Sequence, residues 1–504
     1  MKKRFVLSGM AIALAVGLVL SGCSGGAAPT KPATAATLTL SQTAQPSNLS
    51  VGNFGGGDAT IYLSVYDSLL SQNINGVLSP GVASSWKTSS DGKTITFQIR
   101  AGQKFSDGEK VDAKAVVDSI EVSRKGVGSA GQLKTIKSVS ASNNSTVVIT
   151  LTQPDASILY QLAGTPGAIG APKYLTAASS KLDPIGSGPY TFDKSASSIG
   201  SLYVLKKNPN YWNSKAFPFS TVKFRILVDS TAISNAMKSG QLDFTQLTSL
   251  SDAAQYPSPQ FHTGKLLPST TAVIVIDDRA GKVVPALGDV RVRQAINLAF
   301  DHRLISEKLV AGSFPTAQMA NPNGKIYDKA LDDKYKFNIA KAKQLMAAAG
   351  YANGFKVTMP SDAFSTQFDS TISQSLGAIG IEVNYETVPI QDLFTKLYSG
   401  TYGMFLYFNG FSGSDAKDMG QVLTGSFNPF NYTTPKLDAL LEKANSAPAA
   451  EQAADFRAVN EYITEQGWFV PLVDVGGAYV SSKSVKYTPS VATYINLLPY
   501  SPAN

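Results

Sequence analysis

Hydrophobic and polar residues alternate along residues 94–100, and this period of two predicts a half-buried β-strand. Asp91-Gly92, immediately before this segment, favours a tight hairpin turn. Further strands are predicted over residues 146–151, 202–206, 222–228 and 272–276. The first half of the chain is therefore predicted to be rich in strands.

From about residue 285 the hydrophobic pattern changes, because helical periods begin to alternate with short strands. Asp289 and Asn338 are predicted N-caps of two helices, and Gly350 is predicted to end the second. Strands are predicted at 355–359, 381–387 and 403–408, with helices near 365–379, near 390–399, from 434 and over 451–466. This alternation predicts βαβ units around a largely parallel sheet, in an α/β fold.

Composition limits the chemistry available to the chain. Its 504 residues suggest two to four domains, and 43% apolar residues exclude disorder over the whole length. One cysteine cannot form an intrachain disulfide or a cysteine-rich zinc site. The only histidines are His262, expected in a polar loop, and His302, expected to be partly exposed on a helix. A histidine-rich metal centre is therefore excluded.

The net charge of +8 is too dilute to indicate nucleic-acid binding. Three of these charges belong to Lys2, Lys3 and Arg4, so residues 23–504 carry +5. That part of the chain contains no run of five basic residues. We therefore expect no nucleic-acid partner.

The N-terminus has the three parts of an export signal, with a basic start, a short apolar stretch over residues 5–20 and small residues before Cys23. Sixteen apolar residues are fewer than the roughly 20 that span a bilayer. Leu20-Ser21-Gly22-Cys23 resembles the lipobox of bacterial lipoproteins. That resemblance implies a signal peptide over 1–22 and a lipidated Cys23, with acyl chains such as palmitate holding the protein to the membrane. Residues 24–36, rich in Ser, Gly, Ala and Pro, would form a flexible tether.

Catalytic motifs are either absent or in the wrong context. Residues 126–131 match G-x-G-x-x-G but follow a predicted helix, and no acidic residue follows at the required distance. Ser84 and Ser220 each begin an S-x-x-K match without the partner motifs of penicillin-recognising enzymes. The sequence therefore predicts neither an enzyme nor a resident cofactor or metal.

Several segments, taken in order, resemble one family, the dipeptide, oligopeptide and nickel-type solute-binding proteins that serve ABC importers. The longest covers residues 76–108, and most of its residues have a structural explanation that does not involve a ligand. The others lie at residues 65–70, 185–190, 207–212, 289–301, 340–351 and 469–472. Each is weak alone, but the ordered set is specific across about residues 37–490.

This resemblance implies a type II periplasmic-binding-protein fold with two lobes that close on a ligand by a hinge. The first lobe would comprise residues 37–58, 185–275 and 485–504, with an extra domain over 59–184. The second lobe would cover 276–484, with chain crossings near 275 and 485. The family also implies a monomer outside the cytoplasm, docking on a membrane permease pair served by separate ATPase subunits.

The ligand site is expected in residues 402–419, where peptide-binding relatives hold the peptide ammonium with an acidic side chain. Ser412 stands about where dipeptide binders place that acid, and Asp415 or Asp418 is predicted to replace it. If Asp415 holds the ammonium, D415N should weaken peptide binding by roughly 1.5–3 kcal/mol. The remaining candidate ligand contacts are Tyr66, Tyr407, Phe408, Asn409 and Phe411.

Several ligand classes and functions stay open. Peptides are the leading class, and the aromatic wall also suits sugars, opines or other small organic solutes. The shortage of histidine argues against direct nickel coordination, although a chelated metal fits the family. A signalling module without transport and a secreted hydrolase are the alternatives from other functional classes.

Overall fold

The computed structural model describes residues 36–54, 59–247, 250–492 and 495–503. The predicted signal peptide, Cys23 and nearly all of the predicted tether lie outside these residues. Within the described residues no helix combines the length and the hydropathy needed to cross a membrane.

Strands and helices are interspersed along the whole described chain. The strands are β1 Thr37–Gln42, β2 Leu70–Gln72, β3 Leu78–Pro80, β4 Ala83–Thr88, β5 Thr94–Ile99, β6 Ile136–Asn143, β7 Thr146–Leu151, β8 Tyr190–Phe192, β9 Leu202–Lys207, β10 Thr221–Ile226, β11 Phe244–Leu247, β12 Phe261–Ile276, β13 Phe314–Pro315, β14 Phe355–Ser361, β15 Ile381–Thr387, β16 Met404–Gly410, β17 Phe469–Ser482, β18 Val485–Tyr487 and β19 Tyr500–Pro502. The α-helices are α1 Ala59–Val65, α2 Ala113–Ser123, α3 Ile158–Gln161, α4 Ser230–Lys238, α5 Val290–Leu298, α6 His302–Lys308, α7 Ile339–Ala348, α8 Asp369–Gly377, α9 Ile390–Tyr398, α10 Asp415–Leu423, α11 Pro435–Ser446 and α12 Gln452–Glu465.

The two predicted caps, Asp289 and Asn338, are confirmed by hydrogen bonds, and Thr434 caps the helix that was predicted to begin there. Asp289 accepts from the N–H of Arg291 at 2.8 Å, in front of α5. Asn338 accepts from the N–H of Lys341 at 2.9 Å, and Thr434 precedes α11 in the same way. Each cap satisfies one of the N–H groups that have no partner within the helix. These short-range signals explain why the helices were predictable.

The prediction of a largely parallel sheet is wrong. The main sheet has nine strands in the order β16-β12-β17-β11-β1-β10-β9-β8, with β13 beside β17. Its pairs are antiparallel except for those that β1 makes with β10 and β11. The parallel pair β14-β15 lies outside this sheet. A period of two reports which side of a strand is buried and says nothing about the direction of its partner.

Strand β12 is much longer than the predicted 272–276 segment. It begins at Phe261 and includes His262, which pairs with Ser481 and therefore does not lie in a loop. The first ten residues of β12 are exposed or half-buried, and their polar and apolar residues do not alternate, so their pattern lacks a strand signal. Pro268 has no N–H for the ladder, and the register with β17 shifts between Leu266 and Thr270.

The apolar end of β12 lies between two hydrophobic cores. Ala272, Ile274 and Ile276 belong to one core, whereas Val273 and Val275 belong to the other. Burial on both faces explains why this segment is continuously apolar instead of alternating. Two further cores include residues 69–171 and a set drawn from residues 38–66, 168–244, 485 and 497.

His302 is buried, which corrects the expectation of a partly exposed imidazole. Helix α6 begins at His302, and Nδ1 of this histidine lies 3.2 Å from the carbonyl oxygen of Leu472 in β17. Burial lowers the pKa of the imidazole, so the neutral form is favoured. The side chain is therefore part of the packing between α6 and the main sheet.

Candidate functional site

A cleft of about 2290 Å³ lies within the described part of the chain. This volume exceeds the 300–1,000 Å³ that is typical of small-molecule pockets. One wall is formed by residues from the end of β1 and from β10 and β11, and another by residues 131–135 and 153–165. The facing wall is formed by residues of α9, β16 and α10. A ligand inside would contact segments that are far apart in sequence.

Three hydrogen bonds connect the facing walls. Gln72 donates from Nε2 to the carbonyl oxygen of Ser412 at 2.8 Å. Lys134 donates from Nζ to the carbonyl oxygen of Thr424 at 2.5 Å. The N–H of Ala156 donates to Oδ1 of Asn445 at 3.2 Å. These bonds bring residues 72–156 against residues 412–445 along the edge of the cleft.

Tyr407, Phe408, Ser412 and Asp418 line this cleft, as the sequence predicted for the 402–419 stretch. Strand β16 ends near the cavity, which exposes its last aromatic side chains, and the N-terminal turn of α10 follows. The ring of Tyr407 lies 4.3 Å from that of Phe427, centroid to centroid. Tyr407 and Phe408 thus border the cleft, and their predicted contact with a ligand stays a prediction.

Asp418 is the acidic candidate that lines the cleft. Its Oδ2 accepts a hydrogen bond from the N–H of Ser412 at 3.0 Å. Burial raises the pKa of this carboxyl to about 7, and the bonds from Ser412 oppose the shift. A ligand cation would stabilise its charged form.

Asp415, Asn409 and Phe411 line a separate cavity of only about 10 Å³ behind this stretch, which Asp418 also borders. Oδ2 of Asp415 accepts from the N–H of Lys325 at 2.8 Å. Burial raises the pKa of Asp415, whereas these backbone donors lower it. The structure thus gives Asp415 a local partner, and its predicted contact with a ligand ammonium stays a prediction.

Tyr66 lies in the hydrophobic core and is 2% exposed. Its ring centroid is 4.7 Å from that of Tyr62 in α1, and burial raises the pKa of its hydroxyl. It is not among the residues that line the cleft. This position gives no support to the predicted ligand contact.

Sequence reasoning missed several cleft residues. Gln42 and Gln161 line the cavity, each 7% exposed, and have unpaired side-chain amide atoms. Nothing in the local pattern distinguishes these glutamines from surface ones. Phe394 and Tyr398 of α9 also line the cleft, 43% and 41% exposed. Their spacing of four residues, on a helix with its other apolar residues inward, was a usable signal.

The family description "Bacterial extracellular solute-binding proteins, family 5 Middle" matches residues 77–431. The chain belongs to this family. The predicted family and fold class are therefore confirmed, and a cleft between walls from distant segments is the expected place for a solute. The family consists of solute-binding proteins and not of enzymes.

Relatives in the family carry different ligand names. Heme-binding protein A of Haemophilus influenzae is 26% identical over 466 residues, covering 83% of each chain. The probable di/tripeptide-binding protein 5 of Pseudomonas aeruginosa is 26% identical over 489 residues, covering 88% of this chain and 91% of its own. Membership in family 5 therefore leaves the solute undetermined.

A solved structure supports the fold across nearly the whole chain. DppA of Helicobacter pylori, an ABC transporter-associated periplasmic binding protein in complex with the peptide STSA, has a TM-score of 0.80. The sequences are 22% identical, and the match covers 93% of this chain and 98% of the DppA chain.

Among the residues described here, no three His, Cys, Asp or Glu side chains form a group that could hold a metal ion.

Proposed function

We propose that this family 5 protein captures a peptide or similar small solute between two lobes and delivers it to the permease of an ABC importer. The observation that carries the proposal is the 2290 Å³ cleft, bounded on facing sides by residues 72–156 and 412–445. In this proposal the first lobe comprises residues 37–58, 185–275 and 485–504. Residues 59–184 are the extra domain attached to it, and residues 276–484 are the second lobe.

The two long strands of the main sheet supply the hinge in this proposal. The end of β17 at Ala478–Ser481 pairs with β11, whereas the other end of β12, at 270–276, pairs with β16. The register of β12 and β17 shifts between these regions, near Pro268 and opposite Gly476-Gly477. These features support a hinge inside both strands, about eight residues before the expected crossings near 275 and 485.

The protein works outside the cytoplasm, held to the membrane by a lipidated Cys23 and a tether over residues 24–36. The lipobox-like Leu20-Ser21-Gly22-Cys23 supports this assignment. At least two acyl chains are needed for stable anchoring, and lipoproteins carry them on this cysteine. A monomer docking on a permease pair, with ATP hydrolysed by separate subunits, completes the proposed arrangement.

Peptides remain the leading ligand class, with Asp418 as the acid that holds a ligand ammonium. Its carboxylate lines the cleft, whereas Asp415 bonds to the N–H of Lys325. The exposed rings of Phe394 and Tyr398 favour a second class, solutes with a planar or apolar body such as an opine or a sugar ring. Either class fits the volume of the cleft.

Native mass spectrometry of the chain from Ser24 onward, purified without denaturation, tests this proposal. A ladder of bound masses that sequence as peptides would establish a peptide receptor. A single non-peptide adduct would assign a specific solute. If the purified protein is empty, thermal-shift screening against solute pools follows, because a ligand at 100 times its Kd adds about 2.7 kcal/mol of stability. No shift with any pool would refute solute capture.

A further inference from the structure

A lysine without a partner lies in the wall of the cleft. Lys417 is in the first turn of α10, and it lines the cavity. Its Nζ reaches the facing wall, because a Cβ atom built on Gly164 would lie 3.4 Å from it. Within the described residues, Nζ makes no hydrogen bond and no salt bridge. The ammonium group therefore lies in the cleft between its two walls without a bonded anion.

The environment of Lys417 disfavours its charge in the absence of a ligand. Burial lowers the pKa of the ammonium, and only Asp418 opposes that shift. Neighbouring residues on a helix point in different directions, so Asp418 acts on Lys417 through space and does not bond it. Removing a cation from water without a partner is costly, and an anion in the cleft would compensate that cost.

Two buried amide side chains face the same cavity. Gln161 ends α3, which lies beside α10, and its backbone oxygen accepts from the N–H of Gly164 at 3.1 Å. Its Oε1 has no partner, and neither amide atom of Gln42 has one. Buried polar groups are normally paired, so these positions indicate a polar ligand. Oε1 of Gln161 only accepts hydrogen bonds, so it would pair with a donor group of the ligand and not with a carboxylate.

A connected row of aromatic rings, which we call the aromatic ladder, extends along the other part of the cleft. Ring centroids are 5.8 Å apart between Phe394 and Tyr398, 5.2 Å between Tyr398 and Phe427, and 4.3 Å between Phe427 and Tyr407. All four rings border the cavity, and the exposed surface comes from Phe394, Tyr398 and Tyr407, because Phe427 is fully buried behind them. Such a surface suits a flat or apolar ligand body.

We propose that the solute carries a carboxylate, held by Lys417, and a flat or apolar body that packs on the aromatic ladder. This inference rests on the proposed function and narrows its ligand class. The ammonium of Lys417 has no bonded anion where it approaches Gly164, and the ladder offers apolar surface in the same cleft. A solute without an anionic group would leave the ammonium of Lys417 without a charge partner inside a closed cleft.

Titration calorimetry with matched acids and amides tests the inference. The probes are 3-phenylpropionate against 3-phenylpropionamide, and Ala-Ala-Phe against its C-terminal amide. The proteins are the wild type, K417M, K417R and K308M. Lys308 also lines the cleft but is exposed, so K308M removes the same charge from the rim. The readout is the ratio of the affinity for the acid to the affinity for the amide. Both affinities are measured on the same folded variant, so the ratio does not depend on a comparison between variants.

We expect the wild type to prefer an acid over its amide by roughly 10- to 100-fold, as a charge-assisted bond provides. K417M should abolish this preference, K417R should retain most of it, and K308M should leave it unchanged. Equal affinity for acid and amide in the wild type, or a preference that persists in K417M, would overturn the inference while leaving solute capture intact. Binding of none of the four probes would also overturn it, whereas solute capture itself fails only if the solute pools give no shift.

Discussion

Gln72 offers a direct test of whether closure of the cleft controls affinity. Its Nε2 donates to the carbonyl oxygen of Ser412 at 2.8 Å and to that of Gly76 at 3.2 Å, and the side chain is buried. In the proposed arrangement Gln72 belongs to the extra domain and Ser412 to the second lobe. Opening the hinge would break the bond to Ser412 and leave the bond to Gly76, so Q72A should destabilise the closed state in particular.

The size of the effect follows from the burial of this bond. A buried hydrogen bond contributes about 0.5–1.5 kcal/mol net, and leaving a buried carbonyl unpaired costs about 1–3 kcal/mol. In the open state water satisfies both groups, so nearly all of this cost falls on closure. If the unliganded protein is mainly open, apparent Kd rises by the same factor as the closed fraction falls. A loss of 1–3 kcal/mol corresponds to a Kd increase of roughly 5- to 150-fold.

Calorimetry with two chemically unrelated ligands, together with small-angle scattering of liganded and unliganded protein, measures this effect. Q72A should weaken both ligands by the same factor, because Gln72 bonds protein atoms on both sides. Q132A is the matched control, since Gln132 lines the same cleft but donates to Gly128 within its own segment at 3.1 Å. An unchanged Kd in Q72A, or a factor that differs between ligands, would refute closure through this contact.

Three further changes have defined outcomes. Burial raises the pKa of Asp474 to about 8, so the folded state loses stability as pH rises from about 4 to 8. D474N should keep the acceptor for the hydroxyl of Thr271, raise the free energy of unfolding at pH 9 by roughly 2–5 kcal/mol and change it little at pH 4. The control D333N, at an exposed carboxylate, should not raise the free energy of unfolding at pH 9. The same pH dependence of unfolding in wild type and D474N would contradict the argument. F394A should reduce the affinity for an aromatic ligand by about 5- to 10-fold. The melting temperature should stay nearly unchanged, because the half-exposed ring of Phe394 contributes to the cleft and little to the core. An equal loss of affinity for a purely aliphatic ligand would argue against stacking. C23S should release the protein from the membrane fraction into the soluble fraction on cell fractionation, and retention in the membrane would contradict lipid anchoring.

Local patterns predicted most elements, because capping and hydrophobic period act over a few residues. Asn338 and Thr434 cap helices as expected, and residues 381–387 form the predicted strand. Strand direction could not be predicted in this way, since β12 pairs with β17 across about 200 residues of chain. The first half of β12 also escaped prediction because pairing with β17 along one edge, and not burial, holds it extended.

The residues of the candidate site also fall into those that local sequence predicts and those that only the fold brings together. The aromatic residues at 407 and 408 were found because a run of aromatics in a known stretch is visible in the sequence. Which acid reaches the cleft depends on where α10 begins, and only the fold separates Asp418 from Asp415. Lys417 and Gln161 are ordinary polar residues until the facing walls remove water from them.

Ser412 connects ligand capture to closure through its two backbone groups. Its N–H donates to Oδ2 of Asp418 at 3.0 Å, and its carbonyl oxygen accepts from Gln72 across the cleft at 2.8 Å. Because the N–H and the carbonyl belong to one residue, a shift of Asp418 towards a ligand cation also moves the acceptor of the cross-cleft bond. Lys417 is the neighbour of Asp418 in the same helical turn, so an anion held there would fix the same segment.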